Sequence, residues 1–163
     1  MNTTKNTLDD ILAEFHHYKT IGDLVFSQLN KESISWQYNN EGYSISLIVK
    51  HMTNDILCSL LNLLTEYDEK KSPLSSDFYI KSYTTRFEML EKWEEAWDCL
   101  FTSIERFDTN NFNKSIKINN KTLTLKEIIK NQLSLCAAYI DDIVFLERML
   151  KRHNIIPSLD YNY

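Results

Sequence analysis

At 163 residues, 43% of them apolar and 12% aromatic, the chain suits one domain with its own core. Two glycines and two prolines are too few turn formers for a sandwich or a doubly wound sheet, so long helices with few connections are expected. A net charge of −5, with no basic run interleaved with aromatics, disfavours nucleic acid, whose phosphates need a basic face.

The polar start, Met1 to Asp10, has no signal-peptide core, and no apolar run approaches the roughly 20 residues of a membrane span. The expectation is a cytoplasmic protein without membrane contact. A first helix is predicted from Leu8 to Leu29, where Leu8, Ile11, Leu12, Phe15, Tyr18, Leu24, Val25, Phe26 and Leu29 recur at helical spacing. Thr7 suits its N-cap, and Asp9 and Asp10 suit its dipole. Gly22 weakens its middle by up to ~1 kcal/mol relative to Ala. Asn30 to Tyr43 reads as a connection held down by Trp36 and Tyr38.

The second helix is predicted from Ser44, a good cap, to Thr65, with a wide apolar face from Ile45, Ile48, Val49, Met52, Ile56, Leu57, Leu60, Leu61 and Leu64. Glu66 to Ile80, polar and interrupted by Pro73, reads as a surface loop. A third helix, Lys81 to Phe107, carries an inner stripe of Phe87, Leu90, Trp93, Trp97, Leu100, Phe101, Ile104 and Phe107. Glu91, Lys92, Glu94, Glu95 and Asp98 form its solvated face, and Trp93 and Trp97 read as core. Asp108 to Leu123 follows, in which Ser115–Ile118 and Lys121–Thr124 alternate around Asn119-Asn120, a pair that permits a short hairpin.

Thr124-Leu125-Lys126-Glu127 is a capping box, and the fourth helix runs from it to Arg152 on a core of Ile128, Ile129, Leu133, Cys136, Ile140, Ile143, Val144 and Leu150. The tail, 153–163, is expected to be irregular and stopped by Pro157. The whole, 1–163, reads as a single all-α domain, a four-helix bundle with its core at 8–152. Cys58, Cys99 and Cys136 are odd in number and widely spaced in apolar helical patterns, which predicts three buried reduced thiols.

Bundles build sites from polar residues on inner faces, and His51 is the most informative of these. One turn on lies Asp55. Taken alone, His51 reads as a satisfied core histidine, and a metal-ligand role needs a second histidine or a carboxylate on another helix. His16 and His17 are adjacent and so face apart, as surface or boundary residues. No serine elbow, phosphate-cradling glycine loop or His-Glu-x-x-His motif is present.

Ser44-Ile45-Ser46-Leu47-Ile48-Val49-Lys50-His51-Met52 resembles the start of helix two in the DinB/YfiT-like superfamily. It is most similar to a small bacterial subfamily whose members mostly lack an assigned function. There, a Ser-Ile-x-x-Ile-Val-Lys-His segment carries the first metal-binding histidine. Glu94-Glu95-Ala96-Trp97-Asp98-x-Leu100-Phe101 resembles that subfamily's third helix. Lys114 to Ile118, with Asn131-Gln132-Leu133 beyond it, resembles its hairpin and fourth helix. The resemblance runs from about Leu8 to Arg152 and implies an up-down-down-up bundle with long connections and a tendency to form homodimers.

In metal-binding relatives the fourth helix carries two histidines four residues apart, on one face toward the helix-two histidine. Those positions here are Leu135 and Tyr139, so only His51 remains of the three-histidine site. With Tyr139 placed there by the resemblance and Asp142 three residues on, the plain reading is a hydrogen bond from His51 to Tyr139 or Asp142 in a partly polar pocket. The alternative is a mixed nitrogen and oxygen metal site from His51, Asp55, Tyr139 and Asp142, which requires all four near 2.0–2.2 Å from one centre. Relatives with an intact site resemble thiol transferases, in which a zinc-like ion activates a thiolate such as bacillithiol. For this chain the resemblance implies a degenerate centre and a pocket at His51, Leu135 and Tyr139 that takes a small molecule or a partner. The alternatives are a transferase with an altered zinc or nickel site, with Asp55 and Asp142 as substitute ligands, and an interaction module acting as a homodimer. Whether the chain is an enzyme stays open.

Overall fold

A computed structural model describes residues 3–39, 42–67, 83, 85–106, 112–118 and 121–157, with the backbone alone at 3–6, 60–67, 118 and 121. Helix α1 is Thr3–Ser27, α2 is Lys31–Ser35, α3 is Ile45–Tyr67 and α4 is Arg86–Glu105. Strands β1 (Ser115–Ile118) and β2 (Lys121–Thr124) then lead directly into α5, Leu125–Arg152. The expected all-α bundle is therefore present, with one extra helical turn, α2.

Helix α1 begins before Leu8, so Thr7 lies inside it and is not its cap. It ends before Leu29, because the Gln28 and Leu29 amides bond back only three residues, to Val25 and Phe26. The Phe26 carbonyl also accepts from the Arg86 guanidinium at 2.8 Å, which places a cation at the negative end of α1. Leu24, expected in the core, is 61% exposed. Helix α2 is too short for periodicity to reveal, yet its cap is explicit: the Asn30 side chain accepts from Ser33 and the Ser33 hydroxyl from Asn30. Ser44 caps α3 as expected, its hydroxyl accepting from the Leu47 amide at 3.2 Å.

Helix α4 starts at Arg86 rather than Lys81, capped by Thr85. Its buried stripe is Met89, Trp93, Ala96, Trp97, Leu100 and Ile104. Phe87, six residues ahead of Trp93, falls off that stripe and is 76% exposed, which corrects its expected inner position. The hairpin forms in the expected register, with Ser115 opposite Thr124 and Ile118 opposite Lys121. The capping box at Thr124 and Glu127 is also as expected. The surface loop expected at 66–80, beyond Tyr67, the Asn119-Asn120 turn, Phe107 and the tail beyond Pro157 lie outside the described residues, as do the side chains of Leu60, Leu61 and Leu64.

The α5 stop is not proline. His153 closes the helix, Asn154 adopts a left-handed φ of 57°, and the Ile155 amide bonds back to the Leu150 carbonyl at 2.9 Å. With the Asn154 amide on the Lys151 carbonyl, this is a complete Schellman cap, in which asparagine stands where glycine is usual.

Helix α4 runs antiparallel to α1: Phe15 meets Trp97, Lys19 meets Glu94, and Phe26 meets Trp93. Helices α3 and α5 are antiparallel too, with Asp55 against Tyr139 and Ile48 and Leu146 sharing one cavity wall. The ends of α1 and α5 lie together, since Trp36, just past α2, is 5.5 Å from His153. The order is up-down-down-up, which makes α3 and α4 parallel neighbours and explains the long connection between them: the chain must return the length of a helix. One cluster of buried side chains, from Leu8 to Ile156, runs through all four long helices.

Candidate functional site

Glycine 22 sets how closely the helices approach. A Cβ there would sit 2.5 Å from Trp93 Cζ2 and 3.4 Å from Ile140, so Gly22 is the contact at which the Trp93 ring reaches α1. The indole N–H then donates to Asp23 Oδ1 at 2.7 Å, and Lys19 bridges Asp23 and Glu94. Burial opposes the Lys19 charge, but its bonds to Asp23 and Glu94 outweigh that and raise its pKa. Trp93 and Trp97 are fully buried, as expected for core rather than ligand-stacking residues. His16 and His17 are both exposed, and His16 stacks on Phe101 at 4.1 Å.

On the far side of the bundle, α3 and α5 part to leave a cavity of about 680 Å³. Its walls are Ile48 and His51 of α3, Tyr139, Asp142, Phe145 and Leu146 of α5, and Tyr38, Asn39, Gly42 and Tyr43 of the connection. The α5 residues form one stripe because spacings of three and four return to the same face. Gly42 closes a tight turn: its amide bonds the Asn39 carbonyl at 3.0 Å, and a Cβ there would meet Asn39 Oδ1 at 2.8 Å. Tyr38 is anchored by ring contacts to Trp36 and His153.

Three of the expected site residues, His51, Tyr139 and Asp142, share this cavity. Leu135 does not: it lies one turn before Tyr139 and is 37% exposed, beyond the cavity wall. Neither expected bond of His51, to Tyr139 or to Asp142, is present; the Tyr139 hydroxyl donates instead to Asp55 Oδ2. Burial, then the Asp55 bond and charge, push the Tyr139 phenol above its ordinary range, so it stays a proton donor.

That chemistry decides whether a three-histidine metal fits. Leu135 offers carbon, Tyr139 offers a phenol already bonded to Asp55, and His51, expected on an inner face, is a single exposed imidazole. Among the described residues, no three His, Cys, Asp or Glu side chains gather as a ligand set. The residues do not fit the centre. Nor are the three cysteines alike: Cys136 is buried and its thiol pushed up to about 12 by desolvation, Cys99 is half-buried, and Cys58 is exposed, which corrects its expected burial.

The model of a family described as "Protein of unknown function (DUF1572)" matches residues 2–158. The chain belongs to this family. No curated protein and no solved structure matches it with significance. Membership of DUF1572 assigns no chemistry, so the functional argument rests on the cleft. Among the described residues of this DUF1572 chain, no helix is long and apolar enough to cross a membrane.

The sequence reading missed Tyr43, Phe145, Gly42 and Leu146 as cleft residues. A signal for Phe145 existed: it lies three residues past Asp142, on the polar side of an amphipathic helix, where an aromatic has no core to enter. For the connection no such signal exists, because its fold depends on the Asn30 cap and the α5 end.

Proposed function

We propose that this DUF1572 chain is a DinB/YfiT-like bundle that has lost the three-histidine centre and uses the cleft between α3 and α5 to bind a small molecule without a metal. The up-down-down-up order and the hairpin before the last helix support the superfamily reading. The observation that carries the functional reading is the commitment of Tyr139, at a former histidine position, to Asp55 beside His51. A ligand position has become a structural hydrogen bond, while the cavity around it stays large. At about 680 Å³ it falls within the roughly 300–1,000 Å³ of small-molecule pockets and has the mainly apolar wall with few polar groups that such pockets use. A transferase with an altered centre needs a ligand set that Asp55, held by Tyr139, does not complete.

Ligand-observed NMR with a mixed library of charged and neutral fragments tests the reading. Fragments are expected to bind the wild type and to lose about fivefold or more in Phe145→Ala, which removes an exposed wall residue and leaves the core intact, at a cost of roughly 1 kcal/mol of binding. An absence of hits, or hits indifferent to Phe145→Ala and His51→Ala, contradicts it.

A further inference from the structure

The cleft's lining names a chemical class of ligand, an inference that rests on the small-molecule reading above. Four aromatic rings face the cavity: Tyr38 and Tyr43 from the connection, Tyr139 and Phe145 from α5. Tyr38, Tyr43 and Phe145 are each 60% exposed or more, and Phe87 is the one other aromatic so exposed among the described residues. Exposed apolar side chains scattered singly need no explanation, but three aromatics gathered on one cavity do.

The full charges around those rings are carboxylates. Asp142 lines the cavity and Asp55 stands behind Tyr139; the basic side chains nearby are the imidazoles of His51 on the wall and His153 against Tyr38, and among the described residues no lysine or arginine lines it. At the start of α3, one of the first-turn amides, that of Leu47, is already bonded to the Ser44 hydroxyl. Aromatic faces carry negative quadrupole charge and attract cations. A phenol donating to a carboxylate is richer still in ring electron density, so the Tyr139–Asp55 bond strengthens the face that Tyr139 presents.

We propose that the cleft takes an organic cation: an amine or quaternary ammonium group carried on an apolar or aromatic body. The cationic head lies among the rings near Asp142, and the body covers Ile48 and Leu146. An anionic ligand of the same size would face Asp142 with no partner for its charge.

Three probes of one shape test this by NMR titration at neutral pH: phenethylammonium, 2-phenylethanol and phenylacetate. Phenethylammonium is expected to bind about tenfold or more tightly than 2-phenylethanol, with phenylacetate weakest. Asp142 is exposed, so Asp142→Asn leaves the fold intact, which a circular dichroism melt verifies; it is expected to shrink the amine preference to about twofold. Equal binding of the three probes, or tighter binding of phenylacetate, overturns the cation proposal and leaves the cleft reading standing. An amine preference unchanged in Asp142→Asn places the cation elsewhere and also overturns it. Failure of all three probes to bind overturns it as well, and the fragment library then decides the cleft reading separately.

Discussion

Trp93 reaches α1 because position 22 has no Cβ, and the sequence alone conceals that. Glycine in a helix reads as a weakness, so replacing it by alanine should stabilise α1 by up to ~1 kcal/mol. The 2.5 Å approach of Trp93 reverses the sign. Overpacking of this kind costs about 1–3 kcal/mol, so Gly22→Ala is expected to lower stability by roughly 1–2 kcal/mol in urea denaturation. A stabilised variant would mean that the contact is looser than described. The cysteines give a second residue-scale test. Periodicity marked all three as apolar positions, but a helix has boundary rows that look apolar in a short window. Cys58 lies on such a row. With Ellman's reagent, Cys58 is expected to react at once in the native protein and Cys136 only on unfolding, because its thiol is buried and pushed up to about 12. Fast labelling of Cys136 would contradict its burial.

Element boundaries were legible where side chains write them. Ser44 and the Thr124–Glu127 box start their helices where local chemistry places them, and the hairpin followed from strand alternation around Asn-Asn. The end of α1 was not legible, because Arg86 from another helix takes its carbonyl. The end of α5 falls at Arg152 as expected, but Asn154, not Pro157, makes the cap. A left-handed residue with a Cβ carries a penalty of about 1–2 kcal/mol that asparagine partly offsets and glycine escapes. Asn154→Gly is therefore expected to be neutral or mildly stabilising, and Asn154→Ala to lose about 1 kcal/mol in thermal unfolding. The reverse order would rule out the left-handed cap.

For the molecule as a whole, the helix count was legible in four long periodic segments, while the up-down-down-up order followed only from the family resemblance. The cleft was legible only in part. His51 stood out as a polar residue on an apolar helix, and Tyr139 and Asp142 came through the family resemblance, but the wall opposite them is a connection whose path depends on three elements at once. Two tyrosines tie separate elements together: Tyr139 to Asp55, and Tyr83, ahead of α4, to Thr53 of α3 at 2.7 Å. Burial is the main cause of the raised pKa of both. The native state thus holds these protons more tightly than the unfolded chain. Their contribution is complete below tyrosine's ordinary value, about 10, and is lost as pH rises through the folded values. Melting temperature is expected to fall above about pH 10, with a shallower fall in Tyr139→Phe. An alkaline limb identical in that variant would remove Tyr139 from the account.

The claim that the cleft works without the three-histidine metal is tested most directly by zinc titration calorimetry on the wild type beside His51→Ala. Weak, non-stoichiometric heats that are the same in both proteins are the predicted result. One tightly bound zinc per chain, lost in His51→Ala, would contradict it and make Asp55, Tyr139 and Asp142 ligands rather than a hydrogen-bonded wall.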